Sequence, residues 1–299
     1  MNAAKLLVIS GTHGNEINPI WAVKKFQNLF LADCKNCNLE FILGNPKAYE
    51  KKLRYIDVDL NRSFNIKKSE HNKYFYEIER SKFLVNQYGL KGINPFQVAI
   101  DLHTTTSNMG TSIVLYGRRE KDFCLAGLLQ SKFGLPIYLH EKDNNQVGFL
   151  VEAWPCGLVI EIGPVAQNHY DAQIVERFLI ILRFLNNLII DFKKGIIKLP
   201  QEISVFVHQK SIDYPRDDNL NISALIHPSR TNQDWKSIEA GQPLFLDTNG
   251  KTIDYEGKEK LFPVFIGEAA YREKRIAMSF TKRETIKCSK KWIDNFLYF

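Results

Sequence analysis

The chain has 299 residues, of which 44% are hydrophobic and 24% are charged, and its formal net charge is +7. These values are typical of a soluble globular protein with one or two domains and a large core. Basic residues occur in short groups with acidic residues between them, which excludes a basic nucleic-acid-binding tail. We therefore expect a solvated basic surface and no nucleic-acid partner, although a positive field would attract small anionic substrates.

Cysteine usage and hydropathy argue against two further classes. Five cysteines in a chain of this length do not indicate a disulfide framework, and Cys34-Lys-Asn-Cys37 has no second pair at zinc-finger spacing. We favour a loop pair without consequence over a redox motif. The apolar stretch at 178–190 is too short for a membrane span and is interrupted by Arg183. Because a strand begins within the first dozen residues, we expect no cleaved signal and a cytoplasmic protein.

Short apolar runs alternate with longer amphipathic segments up to about residue 195. This alternation predicts an α/β layered domain with a largely parallel sheet. The longest helix is expected to end at Gly195, after a basic last turn. We predict strands at 5–10, 39–43, 96–102, 111–117 and 157–162, and helices at 17–31, 70–88, 120–133 and 169–193.

The pattern changes after about residue 198. Short β-type runs separated by turn signals occupy 203–207, 220–226, 243–246, 261–266 and 276–280. We therefore predict two domains, an α/β domain over residues 1–197 and a smaller, mainly β domain over residues 198–299.

Three predicted strands end in side chains of a catalytic type. The loop after the first strand supplies His13 and Glu16, the third strand delivers His103, and the strand at 157–162 brings Glu161. Sites in open α/β sheets form at the carboxyl ends of strands. Two imidazoles and a carboxylate are the ligand set of a catalytic zinc, with the fourth position left for water. We predict one Zn²⁺ per chain, with Glu161 as the general base.

A long polar connection follows the second predicted strand. Residues 44–64 contain Asn61 and Arg62 side by side, and together an amide and a guanidinium can hold a carboxylate. An ion pair between Arg62 and Asp57 or Asp59 explains the same residues equally well. The residues alone leave both interpretations open.

Several long motifs stand in the order, and near the spacing, of the aspartoacylase family. The resemblance extends from residue 5 to beyond 280 and covers nearly the whole chain. It implies a zinc carboxypeptidase-like α/β/α fold with an added C-terminal β domain. The motifs are GTHGNE at 11–16, GNPKA at 44–48, RYIDVDLNRSF at 54–64, DLHTTTSNMG at 101–110, IEIGP at 160–164, HP at 227–228, QDWK at 233–236 and PVFIGEAAY at 263–271.

The resemblance implies the same ligands and base as the strand ends, and it adds residues from two other segments. It implies that Arg54 polarises the scissile carbonyl and that Asn61 and Arg62 bind the substrate carboxylate. It further implies that the C-terminal domain places Tyr271 in the mouth of the active site. Asp101, two residues before the zinc histidine, either orients that ligand or is simply a polar strand end.

The reaction implied by the resemblance is hydrolysis of a small anionic N-acyl amino acid, most simply N-acetyl-L-aspartate to acetate and L-aspartate. Aspartoacylases carry an arginine shortly before the catalytic glutamate, which holds the side-chain carboxylate of the substrate. This chain has no basic residue between Asp143 and Glu161. Arg272 or a more distant basic residue is a candidate replacement. The alternative is an amidohydrolase for other N-acyl amino acids, including apolar ones.

Other classes are less well supported by the sequence. A β domain over the mouth would exclude the long substrates of a peptidase. A non-catalytic binding protein would be expected to lack a ligand or the base, and all four positions are filled. The sequence does not decide whether the chain forms a homo-oligomer.

Overall fold

A computed structural model describes residues 6–31, 39–64, 74–141, 143 and 146–297. The predicted Cys34 and Cys37 pair and the first residues of the helix predicted at 70–88 lie outside these residues. The strands are β1 (Leu6–Ser10), β2 (Leu39–Leu43), β3 (Val98–Thr104), β4 (Thr111–Tyr116), β5 (Ile137–His140), β6 (Cys156–Ile162), β7 (Glu202–Ile212), β8 (Ala224–Ile226), β9 (Pro243–Asp247), β10 (Thr252–Asp254), β11 (Phe262–Val264) and β12 (Met278–Lys287). The α-helices are α1 (Ile17–Phe26), α2 (Pro46–Lys51), α3 (Tyr76–Tyr88), α4 (Glu120–Phe133), α5 (Ala172–Lys194) and α6 (Lys290–Leu297).

Nine of these strands form one mixed sheet in the order β11-β12-β7-β5-β4-β6-β3-β1-β2. The pairs β1–β2, β1–β3, β3–β6, β4–β5 and β5–β7 are parallel, whereas β4 runs antiparallel to β6. The prediction of a mixed, largely parallel sheet in an α/β layered fold is therefore confirmed. The parallel arrangement places the ends of β1, β3 and β6 at one edge, which is where the predicted site lies.

Both faces of the sheet are covered, which explains the uninterrupted apolar run of β1. Leu6 and Val8 pack in the core beneath α1, α4 and α5, while Leu7 and Ile9 face a second core on the other side. A strand that is buried on both faces loses the alternation of a half-exposed strand. Each such buried side chain stabilises the fold by about 1.5–3 kcal/mol.

The C-terminal residues contribute to two sheets. β7, β12 and β11 extend the central sheet, because β7 pairs in parallel with β5. β8, β9 and β10 form a separate antiparallel sheet with a core of its own. The predicted additional C-terminal β region is confirmed. Its first strand, β7, continues the central sheet of the N-terminal α/β region.

The ends of α5 follow from local chemistry. The Asp171 side chain accepts hydrogen bonds from the Gln173 and Ile174 amides, and Gly195 ends the helix with a φ of +67°. The predicted stop at Gly195 is confirmed, because a left-handed residue after the last turn favours glycine. Within the described residues, we find no helix with the length and apolar character needed to cross a bilayer.

The connection at 44–64 is more ordered than a plain loop. It contains α2 and a 3₁₀ turn at Leu60–Arg62. Asn45 caps α2 by accepting a hydrogen bond from the Ala48 amide, and Pro46 occupies the first turn. A helix of six residues is too short to show a helical period in sequence, which is why it was not predicted.

Candidate active site

All eight residues predicted for the site line one cavity at the carboxyl edge of the sheet. The eight come from loops, short 3₁₀ turns and strand ends that are far apart in the chain. They are His13, Glu16, Arg54, Asn61, Arg62, His103, Glu161 and Tyr271.

The loop after β1 is held in place by its glycines. Gly11 has a φ of +67°, which lets the chain turn sharply out of the strand. A Cβ at Gly14 would lie 2.1 Å from the carbonyl carbon of Ala48 and 2.2 Å from the amide nitrogen of Tyr49. The loop therefore packs directly on the backbone of α2, and this contact fixes the positions of His13 and Glu16.

Gly14→Ala is expected to destabilise the protein by about 1–3 kcal/mol, because the backbone of α2 cannot move away from the added methyl group. It should also lower the affinity of the His13, Glu16 and His103 cluster for a divalent metal ion, since His13 and Glu16 lie on either side of Gly14. The control is Gly195→Ala, where a Cβ meets no atom within 4 Å but φ is +67°. That control should cost about 1 kcal/mol and leave the metal affinity unchanged. If Gly14→Ala and Gly195→Ala bound equal amounts of metal, the packing of Gly14 on α2 would not be what positions His13 and Glu16.

Two imidazoles converge on one carboxylate. His13 Nδ1 lies 2.7 Å from Glu16 Oε1, and His103 Nδ1 lies 3.1 Å from Glu16 Oε2. The two ring centroids are 4.8 Å apart, and all three side chains are buried. The Nδ1 atoms and the carboxylate therefore face a common point, as three ligands of one divalent metal ion would.

The other nitrogen of each imidazole contacts a second carboxylate. His13 Nε2 lies 3.0 Å from Asp59 Oδ1, and His103 Nε2 lies 2.7 Å from Asp101 Oδ2. Thr12 Oγ1 donates to the other oxygen of Asp101 at 2.7 Å. A carboxylate behind a metal-binding histidine fixes its tautomer and ring orientation. Of the two interpretations of Asp101, the orienting one matches the structure, and Asp59 is an equivalent residue that we did not single out from sequence.

The close packing of these charged groups shifts the pKa values of Glu16 and His103. Burial alone would raise the pKa of Glu16, but the charges of His13 and His103 outweigh it and lower that pKa below its usual range. Burial alone would lower the pKa of His103, but Asp101 and Glu16 raise it well above its usual range. Glu16 is thus ionised, whereas His103 holds a proton that a metal ion would have to displace. We expect metal binding to release protons.

Glu161 reaches the same cavity from β6. The register pairs Glu161 with His103 on β3, so both point from the same edge of the sheet. Glu161 Oε2 is buried and has no hydrogen-bond partner among the described residues. Burial raises the pKa of Glu161 to about 8, and a divalent cation bound beside it would lower it again. A buried carboxylate oxygen that lacks a partner is suited to accept a proton from water in the cavity.

The polar connection contributes three side chains to the cavity. Arg54 lies beside the ligand cluster, with Nη1 3.4 Å from Glu16 Oε1 and Nη2 3.5 Å from Asp59 Oδ2. Arg62 donates to the Asn61 carbonyl at 2.7 Å, and its guanidinium stacks on a phenylalanine ring at 3.9 Å. We find no ion pair from Arg62 to Asp59 in this part of the described structure, so its charge is available to an anion.

A buried glutamate that we did not predict holds the C-terminal segment against the active site. Glu268 Oε2 accepts hydrogen bonds from the Thr106 amide at 2.9 Å and from the Thr105 hydroxyl. Its Oε1 accepts from the Ala270 amide at 3.0 Å, at the start of the 3₁₀ helix that carries Tyr271. Glu268 therefore couples the loop after β3 to the segment that places Tyr271 in the cavity.

Comparison with known proteins identifies relatives of both regions of the chain. Residues 2–188 match the model of the succinylglutamate desuccinylase/aspartoacylase catalytic domain, and residues 201–283 match the AstE/AspA barrel-sandwich hybrid domain. A probable aspartoacylase from Prochlorococcus marinus strain MIT 9215 is 60% identical over 298 residues, which is 99% of each chain. The probable aspartoacylase of strain NATL2A is 45% identical over 294 residues, covering 98% of this chain and 96% of the relative.

Solved structures show the same architecture. Murine aminoacylase 3 superposes with a TM-score of 0.86 at 27% identity, covering 96% of this chain and 98% of that chain. Succinylglutamate desuccinylase from Chromobacterium violaceum superposes with a TM-score of 0.64 at 17% identity, over 96% of this chain and 86% of that chain. The second likeness concerns the fold alone.

The fold, the cavity and these similarities define the class of protein, which is a hydrolase that acts on amide bonds. The chain belongs to the succinylglutamate desuccinylase/aspartoacylase family.

Proposed function

We propose that this protein is a zinc-dependent amidohydrolase of N-acyl amino acids, and that N-acetyl-L-aspartate is its simplest substrate. The observation that supports this most strongly is the convergence of His13 Nδ1, His103 Nδ1 and Glu16 on one point beside the unpartnered oxygen of Glu161. Two imidazoles and one carboxylate are a ligand set that suits Zn²⁺. The other nitrogen of each imidazole contacts a second carboxylate, which fixes the orientation of the ring. The relatives named as aspartoacylases support the same substrate class.

The chemistry divides among the residues of the cavity. Zinc held by the three ligands supplies a Lewis acid and lowers the pKa of a bound water. Glu161 takes a proton from the attacking water and returns it to the leaving amine. Arg54, beside the ligands, stabilises the negative charge that develops on the carbonyl oxygen, a contribution of roughly 3–4 kcal/mol for a well-placed donor.

Arg62 and Asn61 are the proposed binding groups for the substrate carboxylate. Arg62 Nε is buried without a partner among the described residues, so the guanidinium keeps a donor for the substrate carboxylate. Asn61 Oδ1 already accepts from the Leu150 amide at 2.8 Å, which leaves the NH₂ group of Asn61 as the donor. Fixing the carboxylate in this way holds the scissile amide near the metal site.

Arg62→Ala is expected to raise KM strongly, because it removes a contact made with the bound substrate. Arg54→Ala should mainly lower kcat, because its contact is strongest in the transition state. Steady-state kinetics of both variants check this division. If both changed KM slightly and by the same factor, the two arginines would be ordinary ion-pairing residues.

One part of the cavity wall is aromatic. Tyr116 and Phe149 stack with ring centroids 3.8 Å apart, and both line the cavity with Tyr138. Arg272, a candidate replacement for the missing arginine, is exposed and does not line the cavity. The aromatic side chains and the missing arginine favour a second candidate function, which is hydrolysis of N-acyl amino acids with uncharged side chains.

We expect N-acetyl-L-aspartate to be hydrolysed with less than about 100-fold preference over other N-acetyl amino acids. A guanidinium contact to a side-chain carboxylate is worth roughly 1.5–3 kcal/mol, about 10- to 100-fold in kcat/KM, and the segment that would supply it has no arginine. The measurement is kcat/KM for the N-acetyl derivatives of aspartate, glutamate, asparagine and phenylalanine. A preference for aspartate above about 10⁴-fold would show that another residue reads the β-carboxylate. No turnover of any of the four would favour a different acyl group.

The cytoplasmic location, the absence of a nucleic-acid partner and the division of the chain at residues 197 and 198 stay predictions from the sequence.

A further inference from the structure

A second cluster of side chains that could bind a metal ion lies beside the cavity, and one of its members, His140, lines the cavity. His140 is the last residue of β5, and the parallel register of β5 and β7 places His208 beside it. Asp143 lies in the connection that follows β5. One potential ligand atom from each residue lies within 4.8 Å of the others, and both imidazoles are buried. None of the three has a role in the proposed hydrolysis.

Each imidazole is oriented by a hydroxyl group through one nitrogen. Tyr138 Oη lies 3.2 Å from His140 Nδ1, and Ser211 Oγ lies 3.1 Å from His208 Nε2. Among the described residues, the remaining nitrogens lie near the Gln146 and Glu141 carbonyls, both at 3.4 Å. These longer contacts leave one nitrogen of each ring weakly engaged, while the shorter ones fix the ring, as outer groups do at metal sites.

The charge state of the cluster suits a cation. Burial and the neighbouring His208 lower the pKa of His140 to about 4, and burial also lowers the pKa of His208. Asp143 supplies the negative charge, which opposes the repulsion from the nearby Arg62 and Lys274.

We propose that His140, Asp143 and His208 form a second divalent-cation site, separate from the one at His13, Glu16 and His103. Two imidazoles and a carboxylate suit a borderline transition metal such as Zn²⁺. The site would join the end of β5 to β7 and fix the connection that carries Gln146, whose side chain accepts from Arg62 at 2.9 Å. A metal ion here would thus hold the part of the cavity wall that positions Arg62.

The test is the number of Zn²⁺ equivalents bound by metal-free protein, measured by competition with a chromophoric chelator. We expect two equivalents for the wild type, one for His208→Ala, one for His103→Ala and none for the double variant. His169→Ala, at an exposed histidine outside both clusters, is the control and should bind two. Because His103→Ala probes the first site alone, failure of this proposal is distinguishable from failure of the proposed function.

Two further variants keep the proposal testable if His208→Ala does not fold. Asp143→Asn, at a half-buried position, should also lose one equivalent. Tyr138→Phe should keep both equivalents but weaken the second by roughly 10- to 100-fold, because it removes the hydroxyl that orients His140. One equivalent in the wild type that is lost in His103→Ala, or two equivalents in both His208→Ala and Asp143→Asn, would overturn the proposal.

Discussion

Glu161→Gln is expected to lower kcat by roughly 10²- to 10⁴-fold, the usual cost of losing a general base. The amide keeps the size of the side chain but cannot accept the proton of the attacking water. Glu161 Oε2 is buried without a partner, so a neutral amide should be no harder to bury than the carboxylate. Metal content and the unfolding temperature should therefore change little.

The contrast between activity and stability makes this prediction specific. If Glu161 only supported the end of β6, Gln would alter stability and leave turnover nearly unchanged. A drop in kcat of less than about tenfold, in a variant with full zinc content, would remove Glu161 from the mechanism. Glu152→Gln is the control, because Glu152 lies in the same part of the chain but is exposed, and its carboxylate accepts a hydrogen bond from the Phe149 amide. This variant should keep wild-type turnover.

His103→Ala is expected to abolish zinc binding at the catalytic site and to lower activity by at least about 10³-fold. The loss of Lewis-acid stabilisation is worth several kcal/mol, and each 1.4 kcal/mol corresponds to about tenfold in rate. The substitution also leaves Asp101 and Glu16 buried without their imidazole partner. His103→Gln is therefore made in parallel, since its amide retains donors for these carboxylates.

Elemental analysis and circular dichroism check this prediction together. His169→Ala, an exposed histidine, should keep zinc and activity at the wild-type level. A folded His103→Ala protein that retains the catalytic equivalent of zinc would rule out His103 as a ligand. A variant that loses zinc but keeps full turnover would instead separate the metal from the reaction.

The ligand residues could be predicted because sequence and topology coincide at the strand ends. β1, β3 and β6 are short, contain apolar runs and are neighbours in one sheet, and His13, His103 and Glu161 follow them or lie near their ends. Buried parallel strands are among the easiest elements to identify from an apolar run. The position of the site at their carboxyl edge then follows from the fold class.

The supporting residues were harder to predict because their contacts are remote in sequence. Glu268 contacts Thr105 and Thr106 across more than 160 positions, and Asp59 contacts His13 across 46. Nothing in the local pattern distinguishes these carboxylates from surface ones. Asp59 belongs to DVDLNR, so a closer look at the acidic residues beside Arg62 could have indicated it.

Some of the fold was missed for reasons of length and pairing. β5 has only four residues, which is too short to stand out as an apolar run, yet it joins β4 to β7. β10 has three residues and lies at the edge of its sheet, where it pairs with β9. The continuation of the central sheet through β7 depends on long-range pairing that composition does not encode.

The most direct test of the account is turnover of N-acetyl-L-aspartate by enzyme stripped of metal with a chelator and then titrated with Zn²⁺. We predict that stripped enzyme is inactive, that zinc restores hydrolysis to acetate and L-aspartate, and that stripped His103→Ala is not restored. Full activity of the stripped enzyme, or equal restoration of His103→Ala, would contradict a catalytic zinc at His13, Glu16 and His103.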